Sequence, residues 1–210
     1  MDDTLLKQAR QLNLRNSRPG SVFPPVILLT DDHRLPDPRS AIKQLPRNSM
    51  VIFRHYNHPD RPKLAASLRQ LCRRRQILFL VADDLGLALE ISADGIHLPE
   101  YRILKTPGIY HQIPTGMITT SACHGIKTLR HMALLPSRNR PSGALISPVF
   151  STQSHPDTSG LSLQKVQQMA MLCHTLGITP VGLGGINRKT CRNLRPSALA
   201  SLAGIGFSSE

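Results

Sequence analysis

Residues 81–98 read VADDLGLALEISADGIHL, and they hold the end of one strand, a short helix and a second strand. The run Ile77–Val81 that leads into them is apolar and β-prone, as a strand buried on both faces should be. Asp83 and Asp84 follow at its carboxyl end, placed to cap a helix over 85–92. Ala93-Asp94-Gly95 then turns the chain into a strand over 95–98. Strand, helix and strand within about twenty residues form a compact βαβ unit, the repeating part of a parallel α/β fold.

Working outward, the same alternation recurs. Leu5, Leu6, Ala9 and Leu12 lie at helical spacing and predict an amphipathic helix over 2–15. Further strands are expected at 26–30, 50–54, 117–122, 144–147, 179–183 and 198–205. Helices are expected at 40–45, 63–75, 124–135 and 162–176, with a short one from Asn187. Pro99 to Pro114 reads as weakly structured, and Pro148 to Gly160 as a long polar loop. Eight strands separated by helices or loops predict a (β/α)8 TIM barrel. Its last helix is missing, and the extra N-terminal helix is placed to cover that part of the wall. The chain therefore divides into a helix and linker over 1–25 and a barrel over 26–210.

Composition narrows the partners. The chain has 210 residues, 40% of them hydrophobic and 19% charged, which suits one domain with a real core. Lys plus Arg outnumber Asp plus Glu by 26 to 13, and a net charge of +13 favours anionic partners such as phosphorylated metabolites. Aromatic residues make up 4%, with no Trp, which argues against a nucleic-acid binder that stacks bases. The four cysteines are widely spaced without a CxxC pair, so neither a disulfide framework nor a zinc site is expected. No apolar run approaches the roughly 20 residues of a membrane span, and Asp2 and Asp3 open a polar run unlike a secretory signal. The expected setting is cytoplasmic, without a membrane partner.

In such a barrel the residues after each strand converge on one mouth. They are Thr30-Asp31-Asp32, Arg54-His55-Tyr56, Ala82-Asp83-Asp84, Leu98-Pro99-Glu100, Ala122-Cys123-His124, Phe150 to His155, Gly184-Gly185 and Gly206-Phe207-Ser208. Cations, carboxylates, hydroxyls and backbone amides in one basin are the parts of a phosphate site with an optional metal. Gly184-Gly185 before a helix from Asn187 would expose N–H groups to an anion at a helix N-terminus.

The sequence resembles the thiamin phosphate synthase and TenI family of (β/α)8 barrels. The motifs that carry the resemblance are LLTDD (28–32), VIFRHY (51–56), VADDLGLALEISADGIHL (81–98), TSACHG (120–125), SPVFSTQSH (147–155) and VGLGGIN (181–187). They keep the family's order across roughly residues 26–208, and ADGIHL after DDLGLAL is the most specific. The resemblance implies a site for thiazole phosphate and, in the synthases, one for a pyrimidine pyrophosphate bound through Mg2+. The synthase joins the two as the thiazole nitrogen attacks the pyrimidine methylene and pyrophosphate leaves. By the same resemblance, Arg54 serves the pyrophosphate, Asp83 is a metal ligand, and Thr152, Ser154, Gly184, Gly185 and Ser208 hold the thiazole phosphate.

The chain departs from the family on the pyrophosphate side. The family's Gln-x-Arg-x-Lys strand is Ile52-Phe53-Arg54-His55-Tyr56, retaining only the arginine. Its Asn-Asp pair is Ala82-Asp83, and Pro99-Glu100-Tyr101-Arg102 replaces a Gly-Gln-Glu-Asp stretch. An arginine at a metal carboxylate repels magnesium, and Glu100 is the candidate substitute. These departures argue against proficient synthase activity. TenI-like members, which isomerise a thiazole carboxylate phosphate, use a histidine after the fifth strand, and His124 stands there. Imidazole titrates near neutral pH and can take and return a proton. Three readings follow: a transferase using Arg54, Asp83 and Mg2+; a tautomerase using His124 without metal; and a non-catalytic or regulatory pseudoenzyme that binds a phosphorylated ligand or, through its basic surface, an acidic partner. A homodimer is expected if the first helix leaves the barrel flank uncovered. His97, inside a strand, reads as structural, Cys123 as a small core residue, and the Arg69–Arg75 cluster as a solvated face.

Overall fold

Eight short apolar strands pair in chain order and close on themselves. The computed structural model describes residues 2–151 and 160–205. The strands are β1 (Val26–Leu29), β2 (Met50–Phe53), β3 (Leu78–Ala82), β4 (Gly95–Leu98), β5 (Ile118–Cys123), β6 (Gly143–Ile146), β7 (Thr179–Leu183) and β8 (Ser201–Gly204). Each is parallel to its neighbours, and β8 pairs with β1 through Val26 and Leu202, so the sheet is a closed barrel. The helices are α1 (Asp3–Asn16), α2 (Arg39–Gln44), α3 (Arg61–Arg74), α4 (Leu85–Glu90), α5 (Glu100–Lys105), α6 (Ile126–Leu134) and α7 (Leu163–Leu176). The TIM-barrel expectation holds.

Successive side chains of a strand point to opposite faces, and both faces here are buried. Ile27, Leu29, Ile52, Leu80, Leu145 and Val181 fill the barrel, while Leu28, Val51, Phe53, Phe79, Val81 and Ile146 face the helices. Phe23 belongs to the inner cluster and packs against Gly143, where an added Cβ would come 2.4 Å from the ring.

Only a 3-10 helix, Cys191–Leu194, lies between β7 and β8, and α1 packs against it and against β1 and β8. Leu5, Ala9 and Leu12 supply its buried face, and the Asp2 carboxylate caps it by accepting from the Leu5 N–H at 3.0 Å. Polar seams then fasten it. Asn13 donates to the Phe23 and Ala200 carbonyls (3.1 and 3.0 Å), and Asn16 to those of Ser197 and Leu199 (3.1 and 2.7 Å). The N-terminal helix thus covers the wall beside β1 and β8.

Three local expectations need correction. Pro99–Pro114 is not irregular: it forms α5 and a 3-10 helix, Pro107–His111, with Ile103 and Tyr110 buried. No α-helix starts at Asn187. Its side-chain oxygen instead accepts from the Lys189 and Thr190 N–H groups (2.9 and 3.1 Å), the self-contained turn that Asn favours. Nor is the Arg69–Arg75 cluster simply solvated. Arg69 forks onto Asp94 at 2.8 and 2.9 Å, and Arg75 donates to the Leu45 carbonyl at 3.0 Å. Among the described residues, no helix is long and apolar enough to cross a membrane.

Candidate active site

At the carboxyl end of β1 and β2, Thr30 joins the two strand exits. Its Oγ1 accepts from the Arg54 N–H at 2.9 Å and lies 2.8 Å from His55 Nδ1. His55 is buried, stacks on Phe53 with ring centroids 5.3 Å apart, and has Nε2 3.2 Å from the Pro36 carbonyl. It is a packing residue. The Arg54 guanidinium lies 3.6 Å from the Asp31 carboxylate, which also accepts from the His33 and Arg34 N–H groups. Burial works against ionised Asp31, but those amides and the charges of Arg34 and Arg54 outweigh it and hold the carboxyl below its ordinary value.

Arg61, the first residue of α3, ties this side to the β3 exit. It donates to the carbonyls of His55 (2.9 Å) and Ala82 (2.8 Å) and to Asp84 at 2.5 Å. Asp84 also accepts from the Leu87 N–H at 2.9 Å, so one carboxylate caps α4 and anchors α3.

Asp83 adopts a left-handed φ of 53°, unusual for a residue with a side chain. Its N–H donates to the His97 carbonyl at 2.9 Å, and its carboxylate meets α5. Oδ1 accepts from Arg102 Nε at 2.7 Å and Oδ2 from the Tyr101 hydroxyl. Glu100 is committed elsewhere: Oε1 accepts from the His124 N–H at 2.7 Å and from the Thr128 hydroxyl. Neither carboxylate is left open for a metal ion, and the described residues contain no group of three or more His, Cys, Asp or Glu able to hold one. The donor set does not fit the magnesium that the family resemblance implies.

His97 lies deeper, 5% exposed, with Nδ1 2.9 Å from Thr120 Oγ1. Burial, reinforced by the charge of Arg54, pulls its imidazole down to about 3, so it is neutral and structural. His124 is the contrasting case. It is exposed after β5, and its Nδ1 lies 3.0 Å from the Ser147 carbonyl and 3.2 Å from the Ser147 hydroxyl. Glu100 therefore holds its main chain while Ser147 orients its ring. Its neighbour Cys123 is buried, and burial pushes the thiol up to about 12, far from a thiolate nucleophile.

After β7, Gly184 and Gly185 have φ of 103° and 63°, which side-chain-bearing residues rarely adopt. A Cβ on Gly185 would also come 2.5 Å from the Ser151 carbonyl oxygen, so the glycine lets this loop approach the chain after β6. The expected helix N-terminus is absent there, so this turn would offer an anion its backbone amides without a helix dipole behind them. Thr152, Ser154 and Ser208 lie outside the described residues.

Pattern reading missed the partners rather than the positions. The sequence marks Arg102 as a departure from the family, but its contact with Asp83, the Tyr101 hydroxyl on the same carboxylate, Ser147 behind His124 and the Arg61 clamp are not legible in it. An arginine opening α3 and a Tyr-Arg pair opening α5 were the available signals, and neither names its acceptor.

Comparison with known proteins gives one family. The family profile described as "Thiamine monophosphate synthase" matches residues 31–206. A putative thiamine-phosphate synthase 2 of Aquifex aeolicus is 25% identical over 75% of this chain and 81% of its own length. A thiamine-phosphate synthase of Alcanivorax borkumensis is 28% identical over 85% of this chain and 79% of its own. Among solved structures, a thiamine phosphate pyrophosphorylase from Pyrococcus furiosus superposes with a TM-score of 0.68. It is 22% identical and covers 92% of this chain and 88% of that one, a likeness of fold.

Proposed function

The chain belongs to the thiamine monophosphate synthase family, and on that premise we propose that it binds a thiazole phosphate at the barrel mouth and shifts a proton on it. The ligand is a thiazole carboxylate phosphate, the base is His124, and the reaction is a tautomerisation. The observation that carries this reading is the contrast between His124 and Asp83. His124 is exposed and oriented through Nδ1 by Ser147, which leaves Nε2 to take a proton from one ring position and return it at another. Asp83 is spent on Arg102 and Tyr101.

The two family reactions make different electrostatic demands. Coupling expels pyrophosphate, whose accumulating charge calls for several cations or a metal. Tautomerisation expels nothing; one proton leaves and one returns, and a single base suffices. The mouth is equipped for the second demand. Gly184 and Gly185, with Thr152, Ser154 and Ser208, are the proposed phosphate contacts, and Arg54 flanks the ring.

Coupling remains the second reading, favoured by the family profile and by the names of the relatives. One pair of assays separates them. In D2O, the thiazole carboxylate phosphate should take up deuterium at the exchanging ring position, followed by NMR, and His124→Ala should abolish that uptake. The same protein with pyrimidine pyrophosphate, thiazole phosphate and Mg2+ should form no thiamin phosphate. Thiamin phosphate that disappears in Arg54→Ala would replace the tautomerase reading with the synthase one. Neither product, with thiazole phosphate still raising the melting temperature, would leave a ligand-binding role.

A further inference from the structure

Arg102 and Asp83 are joined where the β3 and β4 exits meet, and their pairing changes what the mouth can bind. Asp83 has both oxygens engaged, one by Arg102 Nε at 2.7 Å and the other by the Tyr101 hydroxyl. Its backbone is pinned as well, by the bond from its N–H to the His97 carbonyl at 2.9 Å. The guanidinium is in turn held on a second side, with its carbon 5.1 Å from the centroid of the Tyr101 ring. Of the five N–H donors of a guanidinium, Asp83 takes the one on Nε. With 31% of its side-chain surface accessible, Arg102 is anchored without being enclosed.

Three further carboxylates of this rim are occupied too. Asp31 accepts from two backbone amides and faces Arg34 and Arg54; Asp84 accepts from Arg61 and a helix N–H; Glu100 accepts from the His124 amide and Thr128. Arg54 shares the basin with this pair, since the Tyr56 phenol and the His97 imidazole each lie within electrostatic reach of both Arg54 and Asp83.

We infer that Arg102 is the resident cation of this mouth: its guanidinium is clipped to the carboxylate a divalent ion would need, and a phosphate-bearing ligand is bound there without metal. Asp83 acts as a positioning residue for that guanidinium, and Arg54 supplies a second one. A guanidinium offers directional, paired donors to phosphate oxygens, which suits binding and orientation. The inference rests on the proposed binding of a phosphorylated ligand in this mouth and goes beyond it by assigning an anion subsite at the β3 and β4 exits, separate from the Gly184-Gly185 turn after β7.

The test uses the full chain, inorganic phosphate and Mn2+. Calorimetric titration of the wild type with phosphate should give the same affinity in EDTA and in excess Mg2+, and Mn2+ should show no stoichiometric site by electron paramagnetic resonance. Arg102→Ala should weaken phosphate by about tenfold or more. Arg102→Asp, which sets a second carboxylate beside Asp83, should gain a Mn2+ site that is lost again with Asp83→Asn. Should Arg102→Asp fail to fold by circular dichroism, Arg102→Lys serves instead, and it should still exclude Mn2+. Stoichiometric Mn2+ on the wild type, phosphate binding that requires Mg2+, no phosphate binding, or unchanged affinity in Arg102→Ala would each overturn the inference. Phosphate bound only with Mg2+ would overturn it and leave the tautomerase reading standing. Metal-free phosphate binding without deuterium uptake would do the reverse.

Discussion

His124 Nδ1 sits 3.0 Å from the carbonyl oxygen of Ser147. A carbonyl only accepts, so the neutral ring carries its hydrogen on Nδ1 and keeps the Nε2 lone pair for a ligand. Orientation and tautomer are thus set by a main-chain group, which side-chain substitution at 147 does not remove.

Replacing the base tests this directly. His124→Ala should lower tautomerisation by about 10²–10⁴-fold while leaving the melting temperature near that of the wild type. Ser147→Ala removes only the hydroxyl at 3.2 Å and should cost much less. Steady-state rates and thermal melts of both variants check the pair; equal losses would show that the carbonyl does not set the ring.

His97 should give the fold an acid-sensitive limb. Its ordinary value is 6.5 and burial brings it to about 3, so between these values the unfolded chain binds the extra proton. This contribution is complete above pH 6.5 and is lost as pH falls towards 3. The slope approaches about 1.4 kcal/mol per pH unit for one proton. Urea unfolding across that range should show His97→Gln with a shallower dependence than the wild type. Identical slopes would assign the limb to other groups.

Arg61 should matter for stability more than its position at a helix start suggests. Arg61→Met loses the bonds to the His55 and Ala82 carbonyls and to Asp84 together. The expected cost is about 2–3 kcal/mol, a fall of roughly 4–12 °C in melting temperature for a domain of this size. Calorimetry would read it, and a shift within about a degree would contradict the clamp.

The first helix should behave as part of the barrel wall. Leu12 is fully buried, and Leu12→Ala should cost about 2–5 kcal/mol. Leu14, 86% exposed, is the control, and Leu14→Ala should stay within about 0.5 kcal/mol. Equal, small effects in denaturant titrations would mean that the helix is not docked in solution.

The candidate site was legible only in part. The motif positions put Arg54, Asp83, His124, Gly184 and Gly185 at strand exits, where the barrel indeed has them. Whether Asp83 faces a metal or an arginine was not legible, because Pro99–Lys105 read as irregular chain. Its helix buries a single apolar side chain, Ile103, too little periodicity to show in a pattern. The turn at Asn187 misled for the opposite reason. Asn begins helices and turns alike, and only the bonds from Lys189 and Thr190 distinguish them.

By itself, the sequence determined the barrel. Runs such as Ile77–Val81 and Thr179–Leu183 must be buried on both faces, their alternation with amphipathic helices calls for a parallel sheet, and the count of eight strands points to one closed into a barrel. Burial is a property of local pattern, so it survives in the order of residues. Tertiary structure alone decided the partners: Arg102 on Asp83, Ser147 behind His124, and Asn13 reaching Ala200 across 187 positions. A hydrogen bond depends on where two distant groups meet in space, and the chain between them carries no period that records it.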